Sequence, residues 1–111
     1  MYKNTQQKNN DVVSILETIC GCKWSLRILA LIEKKINRPG LLVKNLDGLS
    51  TKVLNQCLKK NQEFGIVTKI IYPESPPRVE YNITTFGEKL LHIINQINIL
   101  EKESKAPEKT H

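Results

Sequence analysis

Apolar positions recur along this chain with two periods, and the change between them marks its parts. Val12, Val13, Leu16, Ile19 and Cys20 fall at helical spacing, predicting a first short helix that Gly21 can end. Trp24 opens a second helix running through about Lys34. Its apolar residues Leu26, Ile28, Leu29, Leu31 and Ile32 surround most of the axis, which predicts the buried centre of the domain, with Trp24 as a core anchor. Ile36 to Arg38 reads as a connector or a very short strand. Pro39 suits the first position of a third helix, where its missing N–H costs nothing, and Leu41, Leu42 and Leu46 give that helix its inner face. Asp47-Gly48 makes a turn. Ser50 is a good N-cap for a fourth helix, and Leu49 can staple to Leu54 across the first turn. From Thr51 to Phe64 the inward positions are Val53, Leu54, Cys57 and Leu58, and the outward ones are Thr51, Lys52, Asn55, Gln56, Lys59 and Lys60.

After Gly65 the period drops to two. Ile66 and Val67 begin a β-hairpin, Ile70, Ile71 and Tyr72 lead into its tip, and Val79, Tyr81 and Ile83 alternate with Arg78, Glu80 and Asn82 on the way out. Pro73, Pro76 and Pro77 cannot donate ladder hydrogen bonds and belong in the connection. Thr84 or Thr85 then caps a final helix, with Thr85 and Glu88 at capping-box spacing. Leu90, Leu91, Ile93, Ile94, Ile97 and Leu100 along that helix are more apolar surface than one small domain covers. The expected organisation is a flexible, Asn-, Gln- and Lys-rich arm over residues 1–11, one domain over 12–101, and a charged, disordered tail over 102–111.

Helix, helix, helix-turn-helix, hairpin, helix is an α+β, mainly α order of elements: a winged helix-turn-helix with a two-stranded wing and a C-terminal helix. The chain has 111 residues and a net charge of +6, which favours an acidic partner, nucleic acid first and an anionic membrane surface second. No apolar run approaches the roughly 20 residues of a membrane span, and the first residues lack the apolar stretch of a signal peptide, so a cytoplasmic protein is expected. In a major groove, the fourth helix would present Asn55 and Gln56 to adenine edges, Lys52 to guanine, and Lys59 and Lys60 to phosphates. Ser50 and Thr51 stand at its N-terminus, and no acid lies between Ser50 and Lys60. Arg78, at the foot of the wing, is a candidate for the minor groove or backbone, or a partner of Glu74 or Glu80.

The stretches GCKWSLRIL (Gly21 to Leu29), LSTKVLNQCLK (Leu49 to Lys59), FGIVTKIIYPESPPRVEYNIT (Phe64 to Thr84) and the following TFGEKL resemble the HxlR-type winged helix-turn-helix transcriptional regulators. The tip-and-strand motif YPESPPRVEY is the most specific, and the similarity spans about residues 12 to 100. The resemblance implies a bacterial-type, dimeric DNA-binding regulator whose dimer forms through its first and last helices. That places Val12, Leu16, Leu90, Leu91, Ile94, Ile97 and Leu100 at the dimer interface, and makes double-stranded DNA, as an inverted repeat, the other partner. The chain departs from the pattern at Cys22, where a second glycine is usual, at Pro39 (an aromatic), Cys57 (an arginine) and Asn61 (a leucine). Asp11 stands near the position of the thiol that some members use as a sensor.

Other chemistry is set aside. Cys20-Gly21-Cys22 beside Lys23 has only Cys57, His92 and His111 to complete a zinc site, none of them near in sequence, so the three cysteines are expected to be buried small hydrophobes and no redox switch. His92 reads as a polar or interface residue. There is no nucleophile–base pair, no paired carboxylates and no glycine-rich phosphate loop, so neither an enzyme nor a cofactor is expected. The departures at Cys57 and Asn61 keep a second reading open, a winged-helix protein-interaction module without specific DNA readout.

Overall fold

The computed structural model describes residues 11–105. The elements are α1 (Val12–Cys20), α2 (Ser25–Glu33), α3 (Pro39–Asn45), α4 (Thr51–Glu63), β1 (Val67–Tyr72), β2 (Arg78–Ile83) and α5 (Thr85–Lys105). This is the expected α+β order, with the two strands forming a single antiparallel ribbon.

Identifiable side chains set the helix starts. Asp11 accepts the Ser14 N–H at 2.8 Å, so a residue expected in the flexible arm is the N-cap of α1. Pro39 stands in the first turn of α3, and Ser50 accepts the Val53 N–H at 3.1 Å to cap α4. The expected pairing of Thr85 with Glu88 does not cap α5. Thr84 does, accepting the Gly87 N–H at 2.9 Å while its hydroxyl points to the carbonyls of Gly65 and Ile66, at 2.6 and 3.2 Å. One side chain thus ties the exit of α4 to the entry of α5. Helices α2 and α4 end alike, in left-handed residues Lys35 (φ 71°) and Gly65 (φ 78°). The Ile36 N–H reaches the Leu31 carbonyl at 3.0 Å, and the Ile66 N–H reaches that of Asn61 at 2.9 Å. Glycine takes this conformation without strain and lysine does not.

In the ribbon, Val67 faces Ile83 and Tyr72 faces Arg78. Residues 36–38 form a connector, not a strand, yet it holds the wing: the Tyr81 N–H donates to the Asn37 carbonyl at 2.9 Å, and the Asn37 amide donates to Asn82 Oδ1 at 3.3 Å. The core gathers Ile15 and Ile19 of α1, Ile28, Leu29 and Ile32 of α2, Leu42, Leu54, Leu58, Ile66, Tyr81, Leu90 and Ile94. Burial pushes the Tyr81 phenol above its usual pKa. Gly87 is buried where the first turn of α5 meets Ile66, just before β1, and the end of β2; a Cβ there would collide with the Ile66 carbonyl oxygen and stand 2.9 Å from Ile83 Cγ2.

The structure corrects the sequence reading in three further places. Leu41 is exposed, because seven-residue α3 turns only Leu42 fully into the core. Cys20, at the last position of α1, is exposed instead of facing inward. Helix α5 continues past residue 101 to Lys105, where Lys102 and Lys105 suit the negative end of the helix and Lys105 lies 3.7 Å from Glu101 at i,i+4 spacing. The arm over 1–10 and the rest of the expected tail, 106–111, lie outside the described residues. No helix among the described residues is long and apolar enough to cross a membrane.

Candidate nucleic-acid interface

Helices α3 and α4 are joined by a tight turn. Gly48 carries it at φ 89°, and the Trp24 ring lies against it, 3.8 Å from where a Cβ would stand. Trp24 in turn sits under two cations, Lys23 Nζ at 5.1 Å and Arg27 Cζ at 5.4 Å from the ring centre. Its role is to seat the turn that sets the angle between the two helices.

Helix α4 is divided cleanly. Leu54, Cys57, Leu58 and Asn61 are buried. Thr51, Lys52, Asn55, Gln56, Lys59 and Lys60 are exposed, as is the cap Ser50. Three lysines and two amides therefore share one solvent face without a carboxylate until Glu63. That face can offer hydrogen-bond donors and acceptors to base edges and positive charge to a phosphate backbone.

In the wing, Arg78 pairs with the carboxylates near it in sequence. Arg78 donates to Glu80 Oε2 at 2.6 Å and to Glu74 Oε2 at 3.1 Å, and its guanidinium lies 3.8 Å from the centre of the Tyr72 ring. The hydrogen bond and charge of Glu74, then the charge of Glu80, raise its pKa above the usual arginine value. Glu80 also holds Arg38 at 3.5 Å. Both forks of Arg78 are thus engaged within the wing, which makes it a brace for the tip: of the two uses the sequence left open, this is the pairing with Glu74 and Glu80. Lys69 on β1 is exposed and makes no ion pair among the described residues.

The apolar row of α5 is split between two uses. Leu90 and Ile94, expected at a dimer interface, are 1% and 3% exposed inside this chain's own core, because α5 must close over α1 and the ribbon. Leu16 and Leu91 are half-buried against that core. Ile93, Ile97 and Leu100 remain exposed on α5, and Val12 and Val13 on α1. His92 is exposed and lines an open cleft of about 510 Å³ between α2 and α5 together with Leu26, Glu33 and Glu88. No group of three or more metal-binding side chains occurs among the described residues. The cysteines, however, are not scattered: Cys22 Sγ, in the turn between α1 and α2, lies 3.9 Å from Cys57 Sγ. That contact links residues 35 positions apart and has no periodic signal in the sequence.

The model of the "HxlR-like helix-turn-helix" family matches residues 19–109. The HTH-type transcriptional regulator sll1512 of Synechocystis is 37% identical over 83 residues, covering 75% of this chain, which spans only 58% of that relative's length. The regulatory protein MalR of Fusobacterium mortiferum is 39% identical over 93 residues, covering 81% of this chain and 88% of its own. Among solved structures, diamide-treated YodB from B. subtilis superposes with a TM-score of 0.75 at 22% identity, over 84% of this chain and 92% of that one, which is likeness of fold.

Proposed function

The chain belongs to the HxlR-like helix-turn-helix family of transcriptional regulators, and from that premise we propose that it binds DNA sequence-specifically as a homodimer. The observation that carries the reading is the exposed, acid-free face of α4, presented by a helix-turn-helix with a wing directly behind it. In this reading Asn55 and Gln56 meet adenine edges, Lys52 meets guanine, and Lys59 and Lys60 neutralise phosphates. Ser50 and Thr51 bring the N-terminal turn of α4 to the backbone, where the helix dipole favours a phosphate. On the wing, Lys69 is the cation left for the flanking backbone, while Arg78 stiffens the tip.

Two copies would join through the part of α5 not spent on the core, Ile93, Ile97 and Leu100, at i, i+4 and i+7 on one stripe. Helix α1, which packs on α5, adds Val12 and Val13. A two-fold dimer sets its recognition helices about 34–36 Å apart, or a multiple of that, so the operator is an inverted repeat with that spacing. Selection of bound sequences from a random duplex pool tests this. Enrichment of an inverted repeat supports it. Enrichment of nothing, with no retention at low salt, would leave the alternative of a protein-interaction module.

A further inference from the structure

Cys57 stands on the inner face of the recognition helix, with Asn55 and Gln56 just before it on the outer face. Its sulfur meets that of Cys22, which belongs to the turn leading into α2. The two thiols differ in a way that divides labour between them. Cys22 is half-buried and Cys57 is buried. Burial by itself would raise the Cys22 pKa, but the Ser25 hydroxyl, the N–H groups of Trp24 and Ser25 at the start of α2, and Cys57 together hold it below the usual thiol value. Burial, and then the neighbouring Cys22 charge, push Cys57 up to about 11. Cys22 is therefore the reactive, reachable sulfur, and Cys57 is a protonated partner held in contact behind it.

We propose that Cys22 and Cys57 are an oxidative modification site, a hydroperoxide-sensitive pair whose intramolecular disulfide ties the recognition helix to the α1–α2 turn and weakens DNA binding. The Cys22 thiolate attacks one peroxide oxygen; the S–O bond forms, the O–O bond breaks, and the leaving oxygen takes a proton to depart as water or an alcohol. The resulting Cys22 sulfenic acid is attacked by Cys57 sulfur; the S–S bond forms, the S–O bond breaks, and the hydroxyl leaves as water with the Cys57 proton. Two thiols give up two electrons and two hydrogens, and one hydroperoxide is reduced to an alcohol and water. A disulfide requires sulfurs about 2.05 Å apart, so closing the 3.9 Å gap draws α4 and the turn together. Base contacts tolerate displacement of only about 0.5 Å, which is why the bond acts on DNA affinity. That second half rests on the DNA-binding reading; the disulfide itself does not.

The experiment treats the reduced full chain with hydrogen peroxide, then blocks free thiols and maps tryptic peptides by mass spectrometry, beside equilibrium binding to the selected duplex. The expected result is a Cys22–Cys57 linked peptide within one chain, with Cys20 alkylated. Affinity should fall about fivefold or more and return with dithiothreitol. Cys20→Ser should behave as wild type. Cys22→Ser and Cys57→Ala, checked for folding by circular dichroism, should keep their affinity under peroxide. Absence of the linked peptide, or a bond through Cys20 or between chains, would overturn the site. A linked peptide without change in affinity would overturn its control of DNA binding. If the reduced protein binds no DNA, the DNA-binding reading has failed, and the peptide map still decides the pair.

Discussion

The Asn61 side chain donates from Nδ2 to the Cys57 carbonyl at 2.8 Å, one turn back on α4, and leaves its Oδ1 buried without a partner among the described residues. The fully buried amide thus satisfies half of itself by bonding to the backbone on the inner side of α4. An unpartnered buried acceptor costs about 1–3 kcal/mol. Asn61→Leu, similar in size and free of polar atoms, should raise stability by about that amount, read from the midpoint of urea unfolding at constant slope. An unchanged or lowered midpoint would mean that the amide is fully satisfied in solution.

The seating of α5 against Ile66 and the end of β2 depends on the absence of a side chain at Gly87. The obstacle a Cβ would meet is backbone, the Ile66 carbonyl, which cannot rotate aside. Gly87→Ala should therefore destabilise by about 1–3 kcal/mol or more, despite alanine's better helix propensity. Thermal unfolding decides it, and a rise in melting temperature would contradict the packing described here.

The two uses of the α5 row separate two substitutions. Ile94→Glu places a carboxylate in the chain's own core and should unfold the protein. Ile97→Glu places it on the exposed stripe and should leave the circular dichroism spectrum intact while shifting the light-scattering mass from dimer to monomer. A wild-type monomer at micromolar concentration would remove the dimer.

The order of elements, the Pro39 start, the Ser50 cap, the Gly65 stop and the inner and outer faces of α4 were all legible, because each rests on local chemistry or on periodicity over several turns. What was not legible is long-range. Periodicity marks Leu90, Ile94 and Ile97 equally as apolar, and only packing shows that the first two serve the core while Ile97 is left over. The Cys22–Cys57 contact joins two elements with no shared register. Arg78 lies between: Glu74 and Glu80 are near enough in sequence to nominate both partners, but the fork to both and the Tyr72 stack needed the hairpin's geometry. Leu41 and Cys20 were misplaced because a seven-residue helix and a helix end give too few turns to fix a face.

Arg78 also yields a contrast. A cation already paired within the wing releases few counterions when DNA binds, so Arg78→Ala should leave the salt dependence of affinity nearly unchanged. A slope lowered by about one unit, as for a phosphate contact, would show that Arg78 leaves its carboxylates for DNA.

Affinity against log salt, measured on the selected duplex and on random duplex, decides whether the acid-free face of α4 both holds and reads DNA. Gln56→Ala should lose on the order of 1–3 kcal/mol on the selected duplex and much less on random DNA. Lys60→Ala should show similar losses on both duplexes and a salt slope lower by about one unit. Equal losses on the two duplexes for both variants would contradict base reading by this helix, and no wild-type binding at low salt would contradict DNA binding altogether.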